Sequence, residues 1–219
     1  MEDQVNRMEK ARAQVYEFFS AVFLNPPTAE MLAGVLGEDG VGIWEAMFPQ
    51  QPAGDRLRAL SQAYAQGEWQ AEDFLLDYEA LFRVPGDSYV HPFESVYRQK
   101  GFCSGEAKGC AVLAEQAREV ARIYCDQGLA PREGFTELPD HLGVELELMA
   151  VLCRRTAKAL EEENRRGAER LSSQQRAFLS EHLLKWGPDC LNKVREKGQT
   201  PLYACLADLL RAFLEKEYA

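Results

Sequence analysis

The chain has 219 residues, 46% of them apolar and 27% charged, and a formal net charge of −10. That length builds one domain with a full core, or one domain plus a small extra subdomain, and the composition is that of a globular protein. The charge excludes a nucleic-acid surface, which needs a basic stripe, and an anionic membrane surface; it suits a cationic partner.

Apolar residues recur at helical spacing through most of the chain. Met8, Ala11, Val15, Phe18 and Val22 predict a first amphipathic helix. Asn25-Pro26-Pro27 ends it, and Thr28 caps the next, with Glu30 in its first turn. Pro49 to Gly54 is a break, after which Leu57, Leu60 and Tyr64 resume the period. Tyr78, Leu81 and Phe82 share one face of a further helix, which Val84-Pro85-Gly86 ends. Residues 84–105 read as a loop, yet they hold Tyr89, Phe93, Val96, Tyr97 and Phe102. A merely solvated connector would be polar, so this loop is packed on the body or used in binding.

Leu113, Ala117, Val120 and Tyr124 predict the next helix, followed by a second loop region over 128–140. Leu142, Leu146, Met149 and Cys153 form the strongest stripe. Glu161 to Arg170 is charge-rich without apolar period and reads as a solvated helix end and loop. Trp186-Gly187-Pro188 interrupts the penultimate helix, and Leu202, Leu206, Leu209 and Phe213 carry the last one. No segment alternates convincingly over strand length with hairpin turn chemistry. The expected fold is all-α, a single-domain multi-helix bundle over residues 1–219.

No apolar run approaches the ~20 residues of a membrane span. Met1-Glu2-Asp3-Gln4-Val5-Asn6-Arg7 is not a basic segment followed by an apolar core, so no secretory leader is read there. The expected location is the cytoplasm. Six cysteines (Cys103, Cys110, Cys125, Cys153, Cys190 and Cys205) include no Cys-x-x-Cys pair and read as reduced thiols packed in helices. Three histidines, His91, His141 and His182, are too few for a histidine-rich metal centre.

Three segments stand out. Asp77-Tyr78-Glu79-Ala80-Leu81-Phe82 mixes acidic and apolar groups. Pro92-Phe93-Glu94-Ser95-Val96-Tyr97 follows the loop, and Ser95 sits in no Gly-x-Ser-x-Gly elbow. Glu137-Leu138-Pro139-Asp140-His141-Leu142 opens the strongest helix, with proline and acid as ordinary helix-start chemistry. His141 and Glu145, four apart, can face each other. That pair is compatible with a proton relay or half a metal site, but there is no His-Glu-x-x-His. The segment Gly101-Phe102-Cys103-Ser104-Gly105-Glu106-Ala107-Lys108-Gly109 lacks the Gly-Lys-Ser/Thr ending of a phosphate loop.

In this order the segments resemble the TorD/DmsD/NarJ family of redox-enzyme maturation chaperones. Tyr78 to Phe82 is similar to the family's aromatic-x-x-Leu-Phe motif. His91-Pro92-Phe93-Glu94-Ser95-Val96-Tyr97 is similar to its Pro-aromatic-x-Ser-Val-Tyr segment. Glu137-Leu138-Pro139-Asp140-His141 is similar to its Glu-Pro-x-Asp-His signature, with the proline one place later. Gln175-Arg176-Ala177-Phe178-Leu179, His182 to Trp186, Pro188 and Pro201-Leu202-Tyr203 resemble its C-terminal helices. The likeness spans residues 8–217.

The resemblance implies an all-helical cytoplasmic chaperone that is not an enzyme and carries no resident cofactor or metal. Its partner would be the catalytic subunit of a molybdenum enzyme, held, often at its twin-arginine signal peptide, until cofactor is inserted. The chaperone would be a monomer or homodimer. The residue chemistry runs parallel: two guanidinium groups beside an apolar stretch call for an apolar groove rimmed by carboxylates. The partner-binding set is then Tyr78, Leu81, Phe82, Pro92, Phe93, Glu94, Ser95, Tyr97, Asp140, His141 and Glu145. A helical hydrolase using Asp140, His141 and Glu145 is the alternative.

Overall fold

A computed structural model of the chain describes residues 2–49, 51–98, 115–130 and 136–218. Among them the secondary structure is helical, as expected; the only β contact is an isolated antiparallel bridge between Phe93 and His141. The segment Gly101 to Gly109, with Cys103 and Cys110, and Leu113 of the predicted helix lie outside the described residues, as does the end of the first predicted loop. The remaining cysteines, Cys125, Cys153, Cys190 and Cys205, are thiols.

The helices divide into two compact units, residues 1–24 with 92–187, and residues 25–91 with 188–219. In the first, helix α1 (Glu2–Leu24) packs along α8 (Leu142–Glu161), which also packs against α9 (Arg165–Phe178). The short α6 (Glu94–Arg98) and α7 (Glu115–Asp126) complete this unit. The second unit holds α2 (Ala29–Leu36), α3 (Glu38–Met47), α4 (Pro52–Ala65), α5 (Ala71–Tyr78) and α11 (Pro201–Tyr218). Helix α10 (Leu184–Lys197) contains the division, at Gly187-Pro188.

The α1 helix forms where the period places it, but its inward face differs. Val15 and Val22 of the predicted stripe are buried, but Met8 is 56% exposed and Ala11 lies outside, while Glu9, Ala13, Tyr16, Phe19, Ser20 and Phe23 are buried as well. The reason is polar burial with partners, which an apolar count cannot see. Gln175 Nε2 donates to Glu9 Oε2 (3.0 Å) and to Thr156 Oγ1 (2.8 Å), and Arg12 Nη1 donates to Gln175 Oε1 (2.7 Å) and Glu9 Oε1 (2.6 Å). This closed network ties α1, α8 and α9. Ser20 Oγ donates to the Gly143 carbonyl at 2.7 Å. A Cβ on Gly143 would lie 2.5 Å from Leu24 Cγ, so glycine sets the close approach of α1 to the start of α8.

Other elements follow the expected chemistry. Thr28 caps α2 by accepting from the Met31 N–H at 3.1 Å. The break before α4 is shorter than Pro49 to Gly54, because Pro52 occupies the first turn, where a missing N–H costs nothing. The charge-rich stretch is mostly helical. Only Glu162 to Asn164 are outside helices; Asn164 caps α9, and Ala168, Leu171, Gln175 and Phe178 form its buried stripe. Trp186-Gly187-Pro188 does not end the helix: α10 runs through all three with Pro188 inside it, at the cost of one ladder hydrogen bond.

Two π-type turns, Glu79–Arg83 after α5 and Leu179–Leu183 after α9, widen the helices locally. In the first, the Val84 N–H reaches the Glu79 carbonyl at 2.8 Å, five residues back. Such turns occur frequently at functional sites, and the second one positions the site below.

Candidate functional site

The first unit gathers its buried charge around α6. The chain enters α6 through the bridge, where the Glu94 N–H donates to the Asp140 carbonyl (2.9 Å) and the Leu142 N–H to the Pro92 carbonyl (2.8 Å). Asp140 then caps α6 from outside: its Oδ2 accepts from the Ser95 N–H at 3.0 Å. His141, next in sequence, caps α8, with Nδ1 accepting from the Gly143 N–H at 3.0 Å. Its ring meets Phe93 edge-on at 5.2 Å. Adjacent residues thus start two helices, and the Asp-His pair works as a double cap.

Glu94, 0% exposed, is the charged centre. Its Oε1 pairs with Arg98 Nη1 one turn on, and its Oε2 lies 2.9 Å from His182 Nδ1. Arg98 Nη1 also donates to the Glu181 carbonyl at 3.0 Å. A π-type turn can leave such a carbonyl outside the i→i+4 ladder, and here α6 uses it: two of its side chains grip consecutive residues of the turn. Burial opposes the charge on Glu94, but hydrogen bonds from His182 and Arg98 outweigh it and hold the carboxyl below its ordinary range.

Glu145, also 0% exposed, behaves oppositely. Burial, reinforced by the charges of Glu94 and Asp140, pushes its carboxyl well above the ordinary range, against the Trp186 hydrogen bond. Trp186 Nε1 donates to Glu145 Oε2 at 3.1 Å, and the Tyr97 ring lies 5.5 Å from Trp186. Asp140 Oδ1 and Glu145 Oε1 are buried without a hydrogen-bond partner among the described residues.

Eight of the anticipated residues therefore come together in the first unit. Pro92, Glu94, Asp140, His141 and Glu145 are buried, while Phe93, Ser95 and Tyr97 are half-buried. Tyr78, Leu81 and Phe82 belong to the second unit and are core there. Tyr78 and Phe82 pack on each other (5.4 Å) and on Tyr203 (6.1 and 5.7 Å). Beside them Asp77 accepts from the Gln199 N–H (2.9 Å), the Thr200 N–H (2.9 Å) and the Thr200 hydroxyl (2.6 Å), fixing the start of α11.

The residues considered for hydrolysis each serve a separate bond: Asp140 to Ser95, His141 to Gly143, Glu145 to Trp186. Among the described residues no group of three or more His, Cys, Asp or Glu is placed to hold a metal. Arg98, His182 and Trp186 were not among the anticipated site residues. The available signals were the scarcity of histidine and the likeness of His182 to Trp186 to the family's C-terminal helices, neither of which placed them beside Glu94 and Glu145.

Fold and site define an all-helical protein built around a buried carboxylate clasp, with no assembled hydrolytic set among the described residues. A family model for the nitrate reductase delta subunit matches residues 49–192, and the chain belongs to that family. It is similar to the Chaperone protein TorD of Vibrio cholerae serotype O1, at 23% identity over 99% of this chain and 94% of that protein. The Chaperone protein TorD of Photobacterium profundum is 26% identical over 95% and 93%. A crystal structure from Archaeoglobus fulgidus, described as that of a proposed redox enzyme maturation protein, shares the fold. It has a TM-score of 0.51 and 19% identity over 93% of each chain.

Proposed function

We propose that this protein is a cytoplasmic chaperone dedicated to one molybdoenzyme. It binds the catalytic subunit, including its twin-arginine signal peptide, during cofactor insertion and delays export until the subunit is mature. The observation that carries this reading is the family match across the site, joined to curated relatives named as chaperones over nearly their whole length. No described helix is long and apolar enough to cross a membrane, which agrees with action before export.

The site divides the work. Phe93, Ser95 and Tyr97 are partly exposed and offer apolar and polar contact to an extended peptide. Glu94, Asp140 and Glu145 act from beneath, holding α6 and the start of α8 in the conformation that presents those residues. The Asp140-His141 pair then contributes to partner binding through backbone geometry. Micromolar affinity corresponds to about 8 kcal/mol, within reach of one aromatic anchor and a charge pair, and permits release.

Affinity purification from the native host, with identification of captured proteins, tests the reading. A molybdoenzyme catalytic subunit is the expected catch. Titration calorimetry with the captured enzyme's signal peptide should give saturable binding that weakens on Phe93→Ala or Tyr97→Ala. Capture of only unrelated proteins would overturn the proposal.

A further inference from the structure

Two of the buried carboxyl groups beside α6 use only one oxygen each. Asp140 Oδ2 takes the Ser95 N–H at 3.0 Å, and Glu145 Oε2 takes the Trp186 indole N–H at 3.1 Å. The other oxygens, Asp140 Oδ1 and Glu145 Oε1, are fully buried, and no described residue donates to either. Buried carboxyl oxygens rarely go without a donor, because nothing then offsets their loss of hydration.

Both oxygens belong to one locus. Asp140 stands just before α8, and Glu145 lies in its first turn. Glu94 joins them: its N–H donates to the Asp140 carbonyl at 2.9 Å, and its carboxyl is within hydrogen-bonding reach of Glu145. The charge of Asp140 also acts on Glu145. Several kinds of donor are ruled out. A partner's side chain has no way in, since both residues are 0% exposed. Among the described residues no group of three or more His, Cys, Asp or Glu is placed to hold a metal, and two oxygens fall short of the ligand set of a hard cation. A proton on Glu145 can be given to Glu94, which leaves Asp140 Oδ1 still without a donor. Water remains. It donates two hydrogens, which matches two acceptors, and it also accepts, so it fits whether or not Glu145 carries a proton.

We propose that Asp140 Oδ1 and Glu145 Oε1 form a binding site for one internal water molecule, which bridges them. Asp140 caps α6 and Glu145 is in the first turn of α8, so the bridge joins the start of one helix to the start of the other. Internal waters of this kind are structural parts, costly to remove. This one completes the support beneath Phe93, Ser95 and Tyr97. The inference is independent of which partner the protein binds.

A high-resolution crystal structure of the full chain is the direct test, and ordered water density within hydrogen-bond distance of both oxygens is expected. In solution, the Ser95 N–H and the Trp186 indole N–H report on the site, because they bond the same two carboxyl groups. In the ¹⁵N-labelled chain each should show a water cross-peak of opposite sign in NOE and ROE spectra, the mark of a water that tumbles with the protein. Ser95→Ala removes the neighbouring hydroxyl as a relay and should keep the cross-peak at the amide of position 95. Glu145→Gln retains an acceptor oxygen and should keep the water. Glu145→Met has similar length without an acceptor and should lose it; the crystal, Ser95→Ala and Glu145→Gln results decide the matter even where Glu145→Met fails to fold. A direct Asp140–Glu145 hydrogen bond, a cation in place of the water, a dry contact between the two groups, or cross-peaks unchanged by Glu145→Met would each overturn the proposal.

Discussion

Replacing Glu94 by alanine removes the centre of the clasp, and the structure lets the cost be worked through. His182 Nδ1 loses its acceptor inside the protein, and an unsatisfied buried group costs about 1–3 kcal/mol. Arg98 loses its carboxylate but keeps the Glu181 carbonyl and is 30% exposed, so water recovers most of that loss. The one removed methylene adds about 0.8 kcal/mol of lost burial. The sum is about 2–4 kcal/mol, reaching the range for breaking a buried ion pair from one side. Urea unfolding by far-UV circular dichroism, with hydrogen exchange of the α8 amides, measures it. Glu94→Gln, which keeps shape and one acceptor, should cost roughly half as much. A Glu94→Gln/His182→Gln double-mutant cycle should show coupling above about 0.5 kcal/mol. A loss below about 1 kcal/mol for Glu94→Ala, or additive behaviour in the cycle, would refute the reasoning that Glu94 bears charge bound by these partners.

Three further outcomes follow from the same geometry. Glu145 has its carboxyl raised above the ordinary 4.5, so the unfolded chain gives up this proton first and stability falls as pH rises past that value. Glu145→Gln should remove that slope, leaving a protein about 1–3 kcal/mol more stable at pH 7 and little changed near pH 4; Glu94, with its carboxyl lowered, contributes stability that is present above 4.5 and lost as pH falls below it, so Glu94→Gln flattens the acid side instead. Asp77→Ala strands three donors at the start of α11 and should cost about 3–5 kcal/mol by urea unfolding, with Asp77→Asn recovering part. Gly143→Ala should cost about 1–3 kcal/mol despite better helix propensity, since its methyl meets Leu24 and lies 3.1 Å from the Ser20 carbonyl; a Leu24→Ala background should relieve much of that penalty.

Sequence and structure part company at identifiable residues. The stripe Leu142, Leu146, Met149 and Cys153 is buried throughout, because α8 lies between two packing partners and its period is purely apolar. The stripe read for α1 held at Val15 and Val22 but not at Met8 and Ala11, because Glu9 and Ser20 take core positions that Arg12, Gln175 and the Gly143 carbonyl satisfy. Asp140 looked like the first acid of its own helix; it caps α6, 45 residues back in the chain. His141, not Asp140, caps α8. The carboxylates anticipated at the rim of a groove have no exposed surface.

By itself, then, the sequence determined the helical class, most helix boundaries and the ordered motifs that resemble a chaperone family. These are local properties, written in i, i+3, i+4 spacing and in capping residues within a few positions of one another. Tertiary structure decided which face of α1 turns inward, that Glu94, Arg98 and His182 form one clasp, and that Glu94 and Glu145 hold their protons oppositely. A buried charge depends on the donor that reaches it, and for Glu94 that donor stands 88 residues away, on a π-type turn with no short-range sequence mark.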